Sequence, residues 1–374
     1  EMPLPASGLE INAFVSGLDH PRWLYVLPNG DVLVAESNAP AGSGLCSEMK
    51  NFAARVVLKY GGDRTDSADR ITLHRDNDGD GAADESHVFA DGLHSPFGMA
   101  LIGEDLYIAN ADAVLRFTYT PGLTSLTTAP EVIARLPSGK NHHWTKNILP
   151  GPDKRSLFVT VGSNSNVGEC GPEVEEGRAA IHRLDLETGQ LELFAHGLRN
   201  PVGMALETST GTLWTVVNER DELGSDLVPD YATSVRDGDF FGWPYTYYGA
   251  HPQPKLDPRW PDDHPLARSP DYAVGSHTAS LDIEFSYDSA LPDKWRSGLF
   301  VSQHGSWNRQ PRSGYRVIYI PFTNGVPNGM PEEIVGGFLD AGGNARGRPA
   351  GLAIDSAGAL LIADDVGNVV WRVK

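Results

Sequence analysis

The sequence has few cysteines and few basic residues. Its only two cysteines, Cys46 and Cys170, are too few to indicate a redox compartment, and the sequence leaves open whether they pair. Among the 374 residues, 30 Lys and Arg stand against 49 Asp and Glu, which gives a net charge of −19. A phosphate backbone requires a basic protein surface, so we expect no nucleic-acid partner.

The sequence also lacks a long apolar stretch. No apolar run approaches the roughly 18 residues of a membrane-spanning helix, so we expect no membrane span. The first residues, Glu1 to Leu4, contain neither the basic region nor the apolar core of a signal peptide. The protein is therefore either cytoplasmic or has lost a targeting peptide, and we expect a periplasmic or secreted location.

Gly and Pro are abundant, at 41 and 27 residues, and one pattern recurs six times. Each copy has a polar turn, an apolar strand, a second turn carrying Asp, Asn or Gly, and a second strand with alternating apolar residues. The copies begin at Gly17, Gly92, His142, Gly197, His277 and Gly347. Each copy is typical of a β-hairpin.

Further strand-like runs lie between the copies, at residues 55–60, 71–75, 114–119, 180–185 and 315–321. Two extra strands per unit would make four-stranded sheets, and six such sheets around one axis are a six-bladed β-propeller. We therefore predict an all-β, six-bladed propeller with long connecting loops, as a single domain over residues 1–374. Residues 11–15 and 368–374 are predicted to complete the last blade together, and residues 221–270 to form large loops.

An acidic segment, residues 76–85, has the spacing of a calcium loop. Asp76, Asp78, Asp80 and Asp84 offer carboxylates, and Gly81 occupies the sixth position. The sequence departs from the pattern at the twelfth position, where His87 replaces the bidentate Glu. The segment therefore predicts either a structural calcium site or a polar hairpin tip.

Two adjacent histidines, His142 and His143, stand at the start of the third repeat. Histidine titrates near neutral pH, and the repeat starts of a propeller lie near its axis, so this pair is a candidate for a general base. The alternative is a hydrogen-bonded loop histidine. The spacing HExxH of zinc sites is missing, so we do not expect zinc.

Arginines occupy corresponding starts of other repeats, at Arg22, Arg199, Arg346 and Arg348. Scattered arginines are normally solvated, but several on one rim of an acidic protein could converge on a polyanionic ligand. The turn at residues 242–244 offers backbone carbonyls that could bind calcium, although such a turn is often only a turn.

Several of these motifs, in this order, resemble the soluble quinoprotein sugar dehydrogenases. The motifs are residues 142–147, 161–166, 197–201 and 242–244, whereas residues 76–85, 304–308 and 348–373 are similar to the L-sorbosone and pyranose dehydrogenase branch. The resemblance implies a six-bladed propeller that binds pyrroloquinoline quinone (PQQ) and Ca²⁺. It also implies a small-molecule sugar substrate and an electron acceptor, either a quinone or a cytochrome.

The resemblance also implies roles for residues at the reacting end of PQQ. His143 matches the family's general base, with His142 as its neighbour. Arg199 and Asn200 match the pair near the reactive quinone carbonyl, which makes Arg199 the second catalytic candidate. Gly242 and Pro244 flank the segment whose carbonyls hold the catalytic calcium.

A second set is implied to bind the PQQ carboxylates. Arg346 and Arg348 resemble the family's paired arginines, with a slip of one or two residues in the local match. The family's Lys in the fifth repeat has no counterpart, and His304 stands nearest to it. Arg22 completes this predicted set.

The predicted function is oxidation of aldose sugars or sugar aldehydes to lactones or acids, with hydride transfer to PQQ. Two alternatives stay open on sequence alone. The first is a calcium-dependent lactonase on a six-bladed propeller, which requires carboxylates converging on a metal in the central tunnel. The second is a propeller that only binds partners, which would not gain stability from PQQ.

Overall fold

The computed structural model describes residues 2–41, 43 and 66–374. Cys46 and the strand predicted at residues 55–60 lie outside these ranges. The described chain forms six antiparallel sheets, which we call blades 1 to 6, and three short 3-10 helices; it contains no α-helix. None of its helices is long and apolar enough to cross a membrane.

Blades 1 to 3 each have four strands. Blade 1 consists of Pro21–Val26, Val32–Glu36, Arg70–Arg75 and Glu85–Ala90. Blade 2 consists of Met99–Ile102, Asp105–Ala109, Ala113–Thr118 and Glu131–Arg135. Blade 3 consists of Ile148–Pro150, Ser156–Val161, Ala180–Asp185 and Leu191–His196.

Blades 4 to 6 complete the propeller. Blade 4 consists of Pro201–Glu207, Thr212–Val217, Pro229–Val235 and Tyr272–Ser276. Blade 5 consists of Ser280–Phe285, Gly298–Gln303, Arg316–Thr323 and Glu332–Gly336, extended by Leu4–Pro5 and Val326–Pro327. Blade 6 consists of Pro349–Ile354, Leu360–Asp364, Val369–Val373 and Ile11–Ser16. A small hairpin, Thr246–Tyr247 with His251–Pro252, and the 3-10 helices Pro172–Val174, Ser286–Asp288 and Asp293–Trp295 lie between strands.

The predicted six-bladed propeller is confirmed, and so is its closure. The first strand of each blade contacts the first strand of the next, and blade 6 contacts blade 1 in the same way. Ile11–Ser16 pairs with Val369–Val373, so the two ends of the chain share one blade, as the sequence predicts. The second strands, such as Val32–Glu36, are buried along nearly their whole length because neighbouring blades cover both faces.

One sequence expectation is wrong in part. Residues 221–270 were expected to be loops, but Pro229–Val235 is the third strand of blade 4, paired with Thr212–Val217. The partner strand stabilises this strand through backbone hydrogen bonds. Such a tertiary effect cannot be predicted from the short, Asp-containing sequence of residues 229–235. The chain after this strand follows the outer edge of blade 3, where Phe240 forms a parallel bridge with His196.

Strand direction decides which loops can meet. Because neighbouring strands within each blade are antiparallel, the start of the first strand and the ends of the second and fourth strands lie at one end of the blade. We call this end of the propeller the upper end. Loops between third and fourth strands begin at the opposite, lower end.

Candidate active site

His143 precedes the first strand of blade 3 at the upper end. Its Nδ1–H donates to the Ser163 carbonyl at 2.7 Å, so the neutral ring presents Nε2 as an acceptor. Burial lowers the pKa of His143 well below 6.5, and the neighbouring charges of His142 and Arg199 lower it further. His143 is therefore neutral at pH 7 and oriented to accept a proton.

The turn that orients His143 rests on a buried carboxylate, Glu175. This carboxylate accepts from the Ser165 hydroxyl at 2.6 Å, the Asn164 N–H at 2.9 Å and the Ser163 hydroxyl at 3.3 Å. Burial raises the pKa of Glu175, and these donors oppose the rise. Glu175 was not found from the sequence, because it contacts this turn only through the folding of its own loop.

Two buried cations, Lys146 and Arg178, hold the chain on both sides of His143. Lys146 Nζ donates to Asn141 Oδ1 at 3.0 Å and to the Trp144 carbonyl at 3.1 Å. Arg178 donates to the same Asn141 oxygen at 3.2 Å and to the Gly162 carbonyl at 3.1 Å. Lys146 is fully buried, and burial lowers its pKa well below the usual value. We call this pair the cation clamp.

Arg199 is fixed by four hydrogen bonds to neutral oxygens. Its Nε and Nη2 donate to the main-chain and side-chain oxygens of Asn166, at 2.8 and 2.7 Å. Its Nη1 donates to the carbonyls of Asn218, at 3.0 Å, and Glu219, at 2.9 Å. The guanidinium is buried and pre-oriented, and its charge acts on His143.

Asn200 lies directly beside His143, and Gly162 makes this approach possible. A Cβ at Gly162 would come within 2.2 Å of Asn200 Oδ1 and 2.6 Å of His143 Cβ. Asn200 Oδ1 is buried and has no hydrogen-bond partner in the described part of the chain. An unsatisfied buried polar atom at this point is expected where a ligand binds.

A second group, which we call the Asp365 cluster, joins blades 1, 5 and 6. Arg22 Nη1 and His304 Nε2 both donate to Asp365 Oδ2, the latter at 2.8 Å, and His20 Nε2 lies 3.6 Å from the same atom. Arg348 donates to the His304 carbonyl at 2.9 Å. The sequence did not identify Asp365 or His20, because nothing local marks a carboxylate that bridges repeats.

Opposing effects set the pKa values in the Asp365 cluster. Burial alone would raise the pKa of Asp365, but His304 and Arg22 hold it well below its usual range. Burial lowers the pKa of His304 to about 4, and Arg348 adds to this effect. Arg22 Nε is buried and finds no acceptor among the described residues. The cluster therefore offers a spare cationic donor to an anionic ligand.

Trp144 connects the two groups. The Arg22 guanidinium lies 5.7 Å from the centre of the Trp144 ring, and Trp144 is the residue after His143. Its ring also packs edge-to-face on Phe97 at 5.8 Å, so the protein itself occupies this aromatic surface. The base, Arg199 and the Asp365 cluster thus all lie at the upper end of the propeller.

With this geometry established, the comparisons identify the family. A sequence model of the TrAA12-like family matches residues 63–239 and 246–374. The chain belongs to the TrAA12-like family. A PQQ-dependent pyranose dehydrogenase of Coprinopsis cinerea is 23% identical over 363 residues, which are 84% of this chain and 44% of that protein. The chain thus spans under half the length of this curated relative.

Solved structures share the fold of this TrAA12-like chain. The holo form of the pyranose dehydrogenase PQQ domain from Coprinopsis cinerea has a TM-score of 0.76 at 20% identity, covering 100% of this chain and 97% of that one. The calcium structure of the Trichoderma reesei family AA12 protein has a TM-score of 0.77 at 19% identity, covering 100% and 96%.

Three predicted residues of the TrAA12-like chain stand apart from these two groups. Arg346 is exposed at the surface, unlike the buried Arg348. Gly242 and Pro244 lie in a turn whose Trp243 N–H donates to the Gly197 carbonyl. The Gly242 carbonyl already accepts two N–H groups, from residues 245 and 246. The roles of these three residues stay predictions.

The acidic segment of the TrAA12-like chain lies at the lower end, between the third and fourth strands of blade 1. Oxygens of Asp76, Asp78 and Asp84 lie within 4.8 Å of one another, whereas Asp80 accepts the Ala82 N–H. These three are the only carboxylates, histidines or cysteines that could share a metal among the residues described. A calcium site here stays a prediction, separate from the upper-end groups.

Proposed function

We propose that the protein is a PQQ-dependent dehydrogenase that oxidises aldose sugars or related sugar aldehydes to lactones or acids. The observation that carries the proposal is His143, a neutral base with Nε2 presented, beside Arg199 and Asn200. The named activity of the pyranose dehydrogenase relative supports it. The lactonase alternative gains no support. Its metal would need carboxylates that converge near the axis, whereas the three carboxylates that could share a metal among the described residues lie at the lower end of blade 1.

The residues at the upper end fit PQQ, a flat molecule with three carboxylates and an ortho-quinone. Arg22 and Arg348 would hold the carboxylates, since the Arg22 Nε–H has no acceptor among the described residues. His304, predicted for this contact, has a pKa lowered to about 4 and already donates its Nε2–H to Asp365, so its role would be to position that carboxylate. Asn200 would contact the quinone side through its Nδ2–H donors, because its buried Oδ1, which has no partner among the described residues, is an acceptor and cannot bond a quinone oxygen. Bound PQQ supplies the acceptor for a hydride from the substrate carbon.

His143 performs the proton transfer in this proposal. The hydroxyl on the reacting carbon donates its proton to His143 Nε2 as the hydride leaves that carbon, so a C=O bond replaces the C–H and O–H bonds. General-base help of this kind typically contributes about 10²–10⁴-fold. Arg199 offsets the negative charge that develops nearby without moving, because four acceptors fix its position.

Calcium beside the quinone is part of the proposal. The Gly242 carbonyl already accepts hydrogen bonds from two N–H groups, so we assign the backbone contact with this ion to the Pro244 carbonyl. The lower-end loop of Asp76, Asp78 and Asp84, with Asp80 in its outer turn, would bind a second, structural calcium. The calcium structure of the Trichoderma reesei relative supports a role for this ion.

We also propose a periplasmic or secreted location and a quinone or cytochrome as electron acceptor. Cys170 is disulfide-bonded, and disulfides persist mainly in oxidising compartments. Cys46 lies outside the described residues. Among sugars, pyranoses are the first candidates because the relatives include pyranose dehydrogenases, with sorbosone-type aldehydes second.

The test is reconstitution of the purified protein with PQQ and Ca²⁺, followed by spectra before and after a panel of aldoses and aldehydes. We expect substrate to reduce the bound quinone and the enzyme to reduce a dye. Lactone hydrolysis without PQQ, together with no quinone reduction by any sugar, would contradict the proposal.

A further inference from the structure

A pocket of about 260 Å³ lies behind the wall that carries His143. It is formed by the loop after the second strand of blade 3 and by the segment that follows the outer edge of that blade. Six aromatic residues contribute to its lining: His196, Phe240, Trp243, Tyr245, Trp260 and His264. Core packing alone does not account for so many aromatic rings in a partly open pocket, because rings of this kind commonly line ligand sites.

The rings form a fixed framework. Tyr245 stacks on His264 with ring centres 4.6 Å apart, and Trp260 stands edge-on to Tyr245 at 5.8 Å and to Trp243 at 6.0 Å. The indole N–H of Trp260 donates to the Gly168 carbonyl at 2.9 Å. His264 is exposed, and Tyr245 and Trp260 are half-buried, so ring surface is accessible.

Polar groups of complementary kinds surround these rings. Asp263 and Glu176, both exposed, offer carboxylate acceptors in the lining, and Arg178 offers a fixed cation. The Trp243 indole N–H is buried and has no acceptor among the described residues. A ligand that suits this lining presents apolar C–H faces to the rings and hydroxyls to the acceptors and the N–H.

We propose that this pocket is a second saccharide-binding site, which takes one neutral pyranose ring. Its volume is below the roughly 300–1,000 Å³ of pockets for drug-sized ligands, so it suits a single ring rather than a chain. The wall toward the catalytic side contains Arg178, whose Nη1 donates to the Gly162 carbonyl next to His143. Sugar bound here is held away from the base and is not oxidised.

The proposal does not depend on the redox function, because sugar binding at this pocket involves no electron transfer; PQQ and calcium are left out because Pro244, the proposed calcium contact, also lines the pocket. The test therefore uses the full chain without PQQ, titrated with D-glucose, D-galactose and methyl β-D-glucopyranoside. Saturation-transfer NMR and intrinsic fluorescence report binding. A single ring of this size should bind with a dissociation constant on the order of 1 mM.

Variants decide where the sugar binds. Tyr245→Ala and Trp260→Ala should each weaken sugar binding by about 10-fold or more, because each removes accessible ring surface from the lining. Asp263→Asn changes an exposed side chain without a loss of volume and should weaken binding by a few fold. Trp307→Ala is the matched control: Trp307 is 50% exposed and lies outside the pocket, so binding should not change.

Three results would overturn the proposal. The first is no sugar signal from the wild-type protein at 50 mM sugar. The second is equal binding by the wild type, Asp263→Asn and whichever ring variants keep the wild-type circular dichroism and melting temperature. The third is binding of tetramethylammonium without binding of sugar, which would reassign the rings to a cation. Loss of PQQ-dependent activity with sugar binding intact would affect only the proposed function.

Discussion

The two groups at the upper end organise positive charge in different ways. Around His143, Arg199 and Lys146 donate to carbonyl and amide oxygens, which carry no net charge. In the Asp365 cluster, Arg22 and His304 share one carboxylate oxygen. Neutral acceptors orient a cation but leave its charge to act on its surroundings, whereas a carboxylate offsets the charge that it orients.

This difference matches two tasks. A base that must stay neutral benefits from positive charge nearby, and Arg199 lowers the pKa of His143 although the buried carboxylates of Glu219 and Asp221 also interact with Arg199. A site for carboxylates must hold its own buried cations in place: Asp365 pairs with Arg22, whereas the carbonyls of His304 and Gly305 orient Arg348. Changes on the His143 side should therefore alter rate and pH dependence, and changes on the Asp365 side should alter stability and cofactor affinity.

The largest effect is expected for His143→Ala. Without the base, turnover of the reconstituted enzyme should fall by about 10²–10⁴-fold, while the affinity for PQQ changes little. Stopped-flow reduction of the bound quinone measures the rate, and a PQQ titration measures the affinity. His87→Ala, at the exposed lower end, is the control and should keep full activity. Full activity in His143→Ala would remove His143 as the base.

Asp365→Asn tests the other side of the comparison. It leaves the buried Arg22 without its carboxylate partner, and breaking a buried charge pair typically costs about 3–5 kcal/mol of unfolding free energy. Urea unfolding of the apo protein measures this loss. Asp293→Asn is the matched control: its ion pair with Arg296 is exposed and should contribute under about 1 kcal/mol. Equal stability of the two variants would contradict the role of Asp365.

How much the sequence predicts depends on whether its signal is local. The hairpins of all six repeats and the shared last blade are visible because turn residues and apolar alternation are local. The histidine pair and Arg199 are visible because they occupy repeat starts, whereas the choice of His143 as base and the role of Asn200 come from the family resemblance. Glu175 and Asp365 are not visible, since each acts on residues that only the closed ring brings close. Gly242 is a case in which a local motif is visible but misleading. The motif does not reveal that the Gly242 carbonyl already accepts two backbone hydrogen bonds.

Lys146→Met separates positioning from stability within the His143 group. Methionine fills the buried volume but donates nothing to Asn141 or to the Trp144 carbonyl, so the turn that carries His143 loses one side of the cation clamp. We expect kcat to fall by about 10-fold with little loss of stability, because a buried amine is itself costly. Lys154→Met, on an exposed turn, is the control. A large drop in melting temperature with unchanged kcat per folded molecule would make Lys146 purely structural.

The smallest expected effect is a shift in the acid limb of the pH profile of kcat/KM. His143 must be neutral to accept a proton, and its pKa is lowered well below 6.5, so kcat/KM should stay flat from pH 8 to 6.5 and fall only at lower pH. Removing the charge in Arg199→Met raises the pKa of His143 toward 6.5 and moves the acid limb upward by up to about one pH unit. Arg22→Met, on the Asp365 side, should leave the limb in place and weaken PQQ binding instead. Equal shifts of the acid limb in both variants would mean that the His143 group and the Asp365 cluster act on the base alike. The difference between neutral and charged acceptors would then have no functional consequence.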